Sequence, residues 1–155
     1  MKPNLQFLDA YADSYLKTVQ GKGVFLAGIV LGYMARQQVG NASEANNSPL
    51  FKQINFGRTT MRELKKHISR LPELIKAYHI NKGTAHRLQQ LANVAGEMLL
   101  MGGGQELGVD GNFAFTVSFA NASEFFWGKI YNKEDVPVDE IADVESEDMD
   151  SDNGK

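Results

Sequence analysis

Cysteine is absent from the chain. That absence removes disulfide frameworks, thiolate zinc sites and thiol nucleophiles, and it suits a reducing cytosol better than a secreted role. Long apolar runs are missing too. The longest, Val24 to Ala35, falls well short of the ~20 residues a membrane-spanning helix requires. Asp9, Asp13, Lys17 and Lys22 precede it, which makes it a poor secretory signal. A soluble, cytoplasmic protein with no membrane partner is expected.

Recognisable catalytic and ligand-binding patterns are also lacking. The cluster Gly102-Gly103-Gly104 has no lysine followed by serine or threonine, as a phosphate loop requires, and Leu107 stands where the dinucleotide fingerprint needs its third glycine. It reads as a flexible joint between helices. Asp110-Gly111-Asn112 begins like a calcium loop, but the glycine at the sixth position and the closing glutamate do not follow. His67, His79 and His86 include no pair at the i, i+4 spacing that would place a metal between them. No triad or carboxylate dyad is recognisable, so the expectation is no catalytic residue, no metal, no cofactor and no enzyme.

What is present is a one-domain chain of 155 residues, 43% of them apolar, with material for a real core. Its charge is divided unevenly. Residues 134–155 hold ten acids (Glu134, Asp135, Asp139, Glu140, Asp143, Glu145, Glu147, Asp148, Asp150 and Asp152) and one base, Lys155. The first 133 residues therefore carry fifteen bases against nine acids, a net charge of +6 inside a chain whose total is −3. We divide the chain into a helical-bundle domain at 1–133 and an acidic tail at 134–155, which is too poor in apolar residues to fold by itself and is expected to be disordered.

Within the domain, Leu5, Leu8, Tyr15, Leu16 and Val19 share one side of a helix over residues 4–19. Gly21 and Gly23 then punctuate the chain before a helix that is apolar on nearly every face until Arg36. Such a helix belongs at the centre of a bundle, and Gly28 and Gly32 allow a neighbour's backbone to come close. Residues 40–49 form a polar loop. Thr60 and Glu63 compose a capping box at the start of the next helix. Met61, Leu64, Ile68, Leu71, Ile75 and Tyr78 make its apolar face, with a kink or break at Pro72. A turn at 81–83 leads to a helix over 84–101. Residues 113–131 open with a strand-like alternation, but Phe115, Phe119, Ala122, Phe126 and Ile130 form a continuous helical stripe, and no partner strand is evident, so helix is favoured. The fold class is all-α, a compact helical bundle of about five to six helices.

The stretch from 51 to 90 holds nine of the sixteen basic residues (Lys52, Arg58, Arg62, Lys65, Lys66, Arg70, Lys76, Lys82 and Arg87) against only Glu63 and Glu73. Charged helix faces are usually only solvated, and they normally mix signs to gain i, i+4 pairs. This one is nearly single-signed, which favours a polyanion partner, since phosphates would neutralise the cations and release counterions. All nine are candidate nucleic-acid contacts.

Four segments carry a resemblance. They are Gly23 to Gly32 with Gln37-Gln38; Ser48-Pro49-Leu50-Phe51-Lys52-Gln53-Ile54-Asn55-Phe56; Met61-Arg62-Glu63-Leu64-Lys65-Lys66; and the aromatic helix Phe113 to Tyr131. Together they resemble the C-terminal region of the large subunit of type I-B CRISPR Cascade complexes. In that family the region also exists as a separate small subunit, made from an internal start within the large-subunit gene. Small subunits of type I-D complexes are similar as well. The resemblance leaves out the acidic tail. It implies a non-catalytic, all-helical subunit packed in several copies along the complex, in contact with the large subunit, the backbone subunits and other copies of itself. Its nucleic-acid partners would be the crRNA and target DNA and the displaced non-target DNA strand, held so as to stabilise the R-loop, while cleavage belongs to a separate helicase-nuclease. The alternative is a helical assembly subunit whose basic face meets acidic protein surface, such as another copy's tail.

Overall fold

In the computed structural model the described residues are 2–40, 44–102 and 106–131; the acidic tail and Gly103-Gly104 of the expected joint lie outside them. Among the described residues there is no strand, and seven α-helices occur. The chain is all-α, as expected.

Helix α1 (Val19–Val39) begins where the Thr18 hydroxyl accepts the amide of Gly21 at 2.9 Å, a side-chain cap that satisfies one of the free N-terminal donors. It ends at Gly40, whose φ of 65° lies in the left-handed region that glycine enters at little cost. Every residue from Gly23 to Ala35 is buried. Apolar on all sides, α1 lies at the centre, with α5 (Lys82–Met101) and α6 (Gly108–Ala120) packed along it. The close approach occurs at Gly28 and Gly32: a Cβ at Gly28 would stand 2.9 Å from the Phe115 carbonyl oxygen, and one at Gly32 would stand 2.8 Å from Phe119 Cα.

Two expectations about the N-terminal region are corrected. Gly21 and Gly23 lie inside α1 rather than before it; at Gly23 the helix meets α5, where an added Cβ would be 2.9 Å from Met98 Cβ. Residues 4–19 do not form one amphipathic helix but two 3-10 turns, Gln6–Ala10 and Tyr15–Lys17. Short polar side chains offer the backbone local alternatives to the helix. Asn4 Oδ1 accepts the Gln6 amide at 3.1 Å, and Asp13 Oδ1 accepts the Tyr15 amide at 2.8 Å. Of the expected apolar residues, Leu8 and Leu16 are buried and Leu5 and Tyr15 half-buried, but Val19 is exposed; Phe7 and Tyr11, outside the expected stripe, pack around the Phe25 ring.

After a short α2 (Pro49–Gln53), capped by Ser48, the chain enters α3 (Met61–Ser69) and then α4 (Leu71–Ala77). Pro72 falls in the first turn of α4, so the expected break is present. Helix α5 starts at Lys82 rather than 84, because Asn81 Oδ1 accepts the Thr84 amide at 2.9 Å and turns the expected turn into a cap. The aromatic segment is helical throughout: α6, then α7 (Ala122–Phe125), then a π turn at Phe126–Ile130. Phe115, Phe119, Ala122, Phe126 and Ile130 are all buried, as their spacing predicts. Seven α-helices stand against the expected five to six: the interruptions at Pro72 and Asn121 and the short α2 add to the count, and the N-terminal segment, which forms no α-helix, subtracts from it.

Candidate nucleic-acid interface

Helix α3 is defined at its start by reciprocal bonds. The Glu63 amide donates to Thr60 Oγ1 at 3.1 Å, while Glu63 Oε1 accepts the Thr60 amide at 3.3 Å and its hydroxyl at 3.0 Å. Hydrogen bonds from Thr60, assisted by Asn55, hold the Glu63 carboxyl below its usual value. The acid of this helix is thereby committed to its N-terminus.

At 100° per residue the rest of α3 divides cleanly. Met61, Leu64 and His67 are buried and Ile68 is half-buried, whereas Arg62 and Lys66 are exposed on the opposite side and Lys65 is half-buried on the flank between the two faces. Arg70, exposed, caps the C-terminus. Among the described residues none of these four cations forms an ion pair. Arg62 stands three residues from Lys65 and four from Lys66, spacings at which like charges repel by a few tenths of a kcal/mol. A row of this kind is slightly costly to the free protein and is relieved by any bound polyanion.

The approach to α3 is held by a side chain whose only sequence signal is its place in an incomplete calcium-loop pattern. Asn112 of α6 accepts the Thr59 amide at 2.8 Å through Oδ1 and donates through Nδ2 to the carbonyls of Thr59 at 3.3 Å and Gly108 at 2.9 Å. This buried amide clamps the entry of α3 to the core. Lys52, in the last turn of α2, and Arg58, in the connection before Thr59, are both exposed on this approach.

Lys76 and Lys82 are exposed but belong to α4 and α5, so they do not prolong the α3 row. Arg87 requires a correction. It is only 7% exposed, with Nη1 donating to the Gly83 carbonyl at 3.1 Å and the guanidinium 5.8 Å from the centre of the Tyr131 ring. The Tyr131 hydroxyl lies 3.1 Å from the Arg87 carbonyl oxygen and 2.9 Å from Gln90 Oε1. Burial pushes the Tyr131 hydroxyl well up, so it remains a neutral donor. Arg87 thus fastens the C-terminal aromatic segment to α5 and is withdrawn from the surface. Its position was readable, because it stands four residues before Leu91 on the row that continues to Ala95 and Leu99, all buried.

Beside the basic row, a groove of about 520 Å³ runs between α3–α4 and α5. Lys65, Ile68 and Pro72 line one side, and Gln89, Asn93 and Leu100 the other. Sequence periodicity gave no sign of it, since its width depends on how far apart the helices pack. Among the described residues, no three or more His, Cys, Asp and Glu side chains come together as a metal site, and no helix is long and apolar enough to cross a membrane.

Residues 2–134 match the family model described as CRISPR-associated protein TM1802, C-terminal domain. The chain belongs to that family. No curated protein and no solved structure matches it. The TM1802 C-terminal-domain match takes in every described helix, the capped α3 and its cations included, and stops at the first residue of the acidic tail. The CRISPR-associated character expected from the four resembling segments is therefore shown, at the level of the family.

Proposed function

We propose that the chain is a non-catalytic small subunit of a type I-B crRNA-guided Cascade complex, acting in the cytoplasm. It packs in several copies beside the large and backbone subunits and holds the guide–target duplex and the displaced non-target strand against the basic face of α3, stabilising the R-loop. The observation that carries this reading is the row Arg62, Lys65, Lys66 and Arg70, single-signed and without ion pairs among the described residues, on a helix capped at its start and clamped by Asn112. Membership of a CRISPR-associated family supplies the nucleic-acid context.

Backbone charge suffices for this task. Arginine and lysine on a rigid helix meet phosphates wherever they fall, and sequence is supplied by guide pairing. The test is DNA binding by the assembled complex carrying Arg62→Ala, Lys65→Ala and Lys66→Ala. Losing three phosphate contacts should lower affinity at least about tenfold near 0.1 M salt and flatten the salt slope by roughly two to three. Unchanged affinity and slope would sink the reading.

The apolar groove beside Lys65 favours a second reading, in which this side of the molecule meets acidic protein surface during assembly. The same triple variant would then lose subunits from the purified complex while whatever complex remained bound DNA normally. Copurification with type I-D rather than type I-B subunits would move the chain to that neighbouring class.

A further inference from the structure

We propose that the acidic segment of this same chain, residues 134–155, docks on the groove between α3–α4 and α5 and on the cations at its rim, competing in cis with nucleic acid. The competition rests on the nucleic-acid reading above; the docking does not.

The groove has a mixed character that a nucleic-acid strand does not match. Ile68, Pro72 and Leu100 give it apolar walls, and Leu100 is 71% exposed with nothing over it among the described residues. Gly96 opens the α5 side further, since a Cβ there would meet no atom within 4 Å. Lys65 forms part of the wall and Arg62 and Lys66 continue its charge outward, whereas the exposed Glu97 stands on the α5 side, so the acids of an occupant belong along the α3 rim. A suitable occupant combines apolar side chains with closely spaced negative charge.

The segment that begins at Glu134 has that composition. Val136, Val138, Ile141 and Val144 alternate with Asp139, Glu140, Asp143 and Glu145, and its ten acids face a body of net charge +6. It also starts from a suitable place. Tyr131 is pinned to Arg87 and Gln90 of α5, the helix whose later residues line the groove. Twenty-four residues follow it, enough to span at most ~80 Å when extended, whereas the whole of α5 is ~30 Å long. A tether of this kind keeps its end at an effective concentration in the millimolar range, so weak contacts suffice. The TM1802-domain match ends at residue 134, which makes the segment an addition to the domain rather than part of its core. Stray polyanions at low local concentration then fail to displace it, while a strand delivered in place by guide pairing succeeds.

The experiment uses the full chain. Zero-length carbodiimide cross-linking of a mixture of isotope-labelled and unlabelled protein should join acids between 139 and 148 to Lys65 and Lys66 within one copy, several-fold above Lys17 or Lys129. Leu100→Glu, an exposed change that puts a negative charge at the groove, should reduce those links several-fold. Links spread evenly over the exposed lysines, or found only between labelled and unlabelled copies, would overturn the docking. For the competition, the probe is a single-stranded thymidine oligonucleotide. Neutralising Asp139, Glu140, Asp143, Glu145, Glu147 and Asp148 to Asn or Gln should tighten binding about tenfold at low salt. Equal affinity overturns the competition. If neither chain binds the oligonucleotide while the cross-links persist, the nucleic-acid reading and the competition built on it fail, and the docking stands.

Discussion

At Gly32 of α1 a methyl group has no room, because Phe119 Cα and Ala122 Cβ would each lie 2.8 Å away. Backbone and a short side chain cannot swing aside, so Gly32→Ala should cost about 1–3 kcal/mol in urea unfolding. Gly96 is the opposite case, a helical glycine with open space around its absent Cβ. There Gly96→Ala should raise stability by up to about 1 kcal/mol, since only the helix penalty of glycine is removed. The sequence signals the first through the Gly28–Gly32 spacing on an apolar helix and gives no sign of the second. His67 shows a further residue-scale effect. It lies on the buried side of α3, and burial lowers its pKa from the ordinary 6.5, with Arg70 and Lys66 adding to the drop and Glu63 opposing it. The folded state prefers the neutral ring, so its stability contribution is full above 6.5 and is lost as pH falls through the lower folded value. Urea midpoints should therefore decline between about pH 7 and pH 5, and His67→Gln should flatten part of that decline.

At the scale of the element, α3 is where local sequence and structure agree most closely. The Thr60–Glu63 box, the three-and-four spacing of Met61, Leu64 and Ile68, and the stop at Pro72 are all local devices, so nothing distant could override them. Thr60→Ala should cost about 1 kcal/mol of stability, measured by denaturant unfolding, through loss of a cap and of the bond that holds Glu63. The N-terminal segment behaved differently. Its apolar residues are spaced for a helix, but Asn4 and Asp13 capture nearby amides and the Phe7 and Tyr11 rings pack onto Phe25 and Phe125. Burial was therefore legible where backbone conformation was not, because several backbone paths can deliver the same side chains to the core.

At the scale of the whole molecule, the uneven charge separates stability from function. The α3 cations repel one another and find no ion pair among the described residues. Arg62→Ala, Lys65→Ala and Lys66→Ala together should leave the unfolding midpoint unchanged or slightly raised at low salt, by a few tenths of a kcal/mol. The same variant should weaken DNA binding by the complex, and a matched loss of both would instead indicate simple unfolding. The sequence by itself determined the all-α class, the central place of α1, the aromatic stripe, the capped α3 and the contrast between a basic body and an acidic tail. Each of these follows from periodicity, local capping or composition. Only the tertiary structure decided that Arg87 meets Tyr131, that Asn112 clamps the entry to α3, and that a groove opens beside Lys65. Those features depend on which residues from distant parts of the chain come into contact, and on the spacing between packed helices. A one-dimensional pattern carries neither.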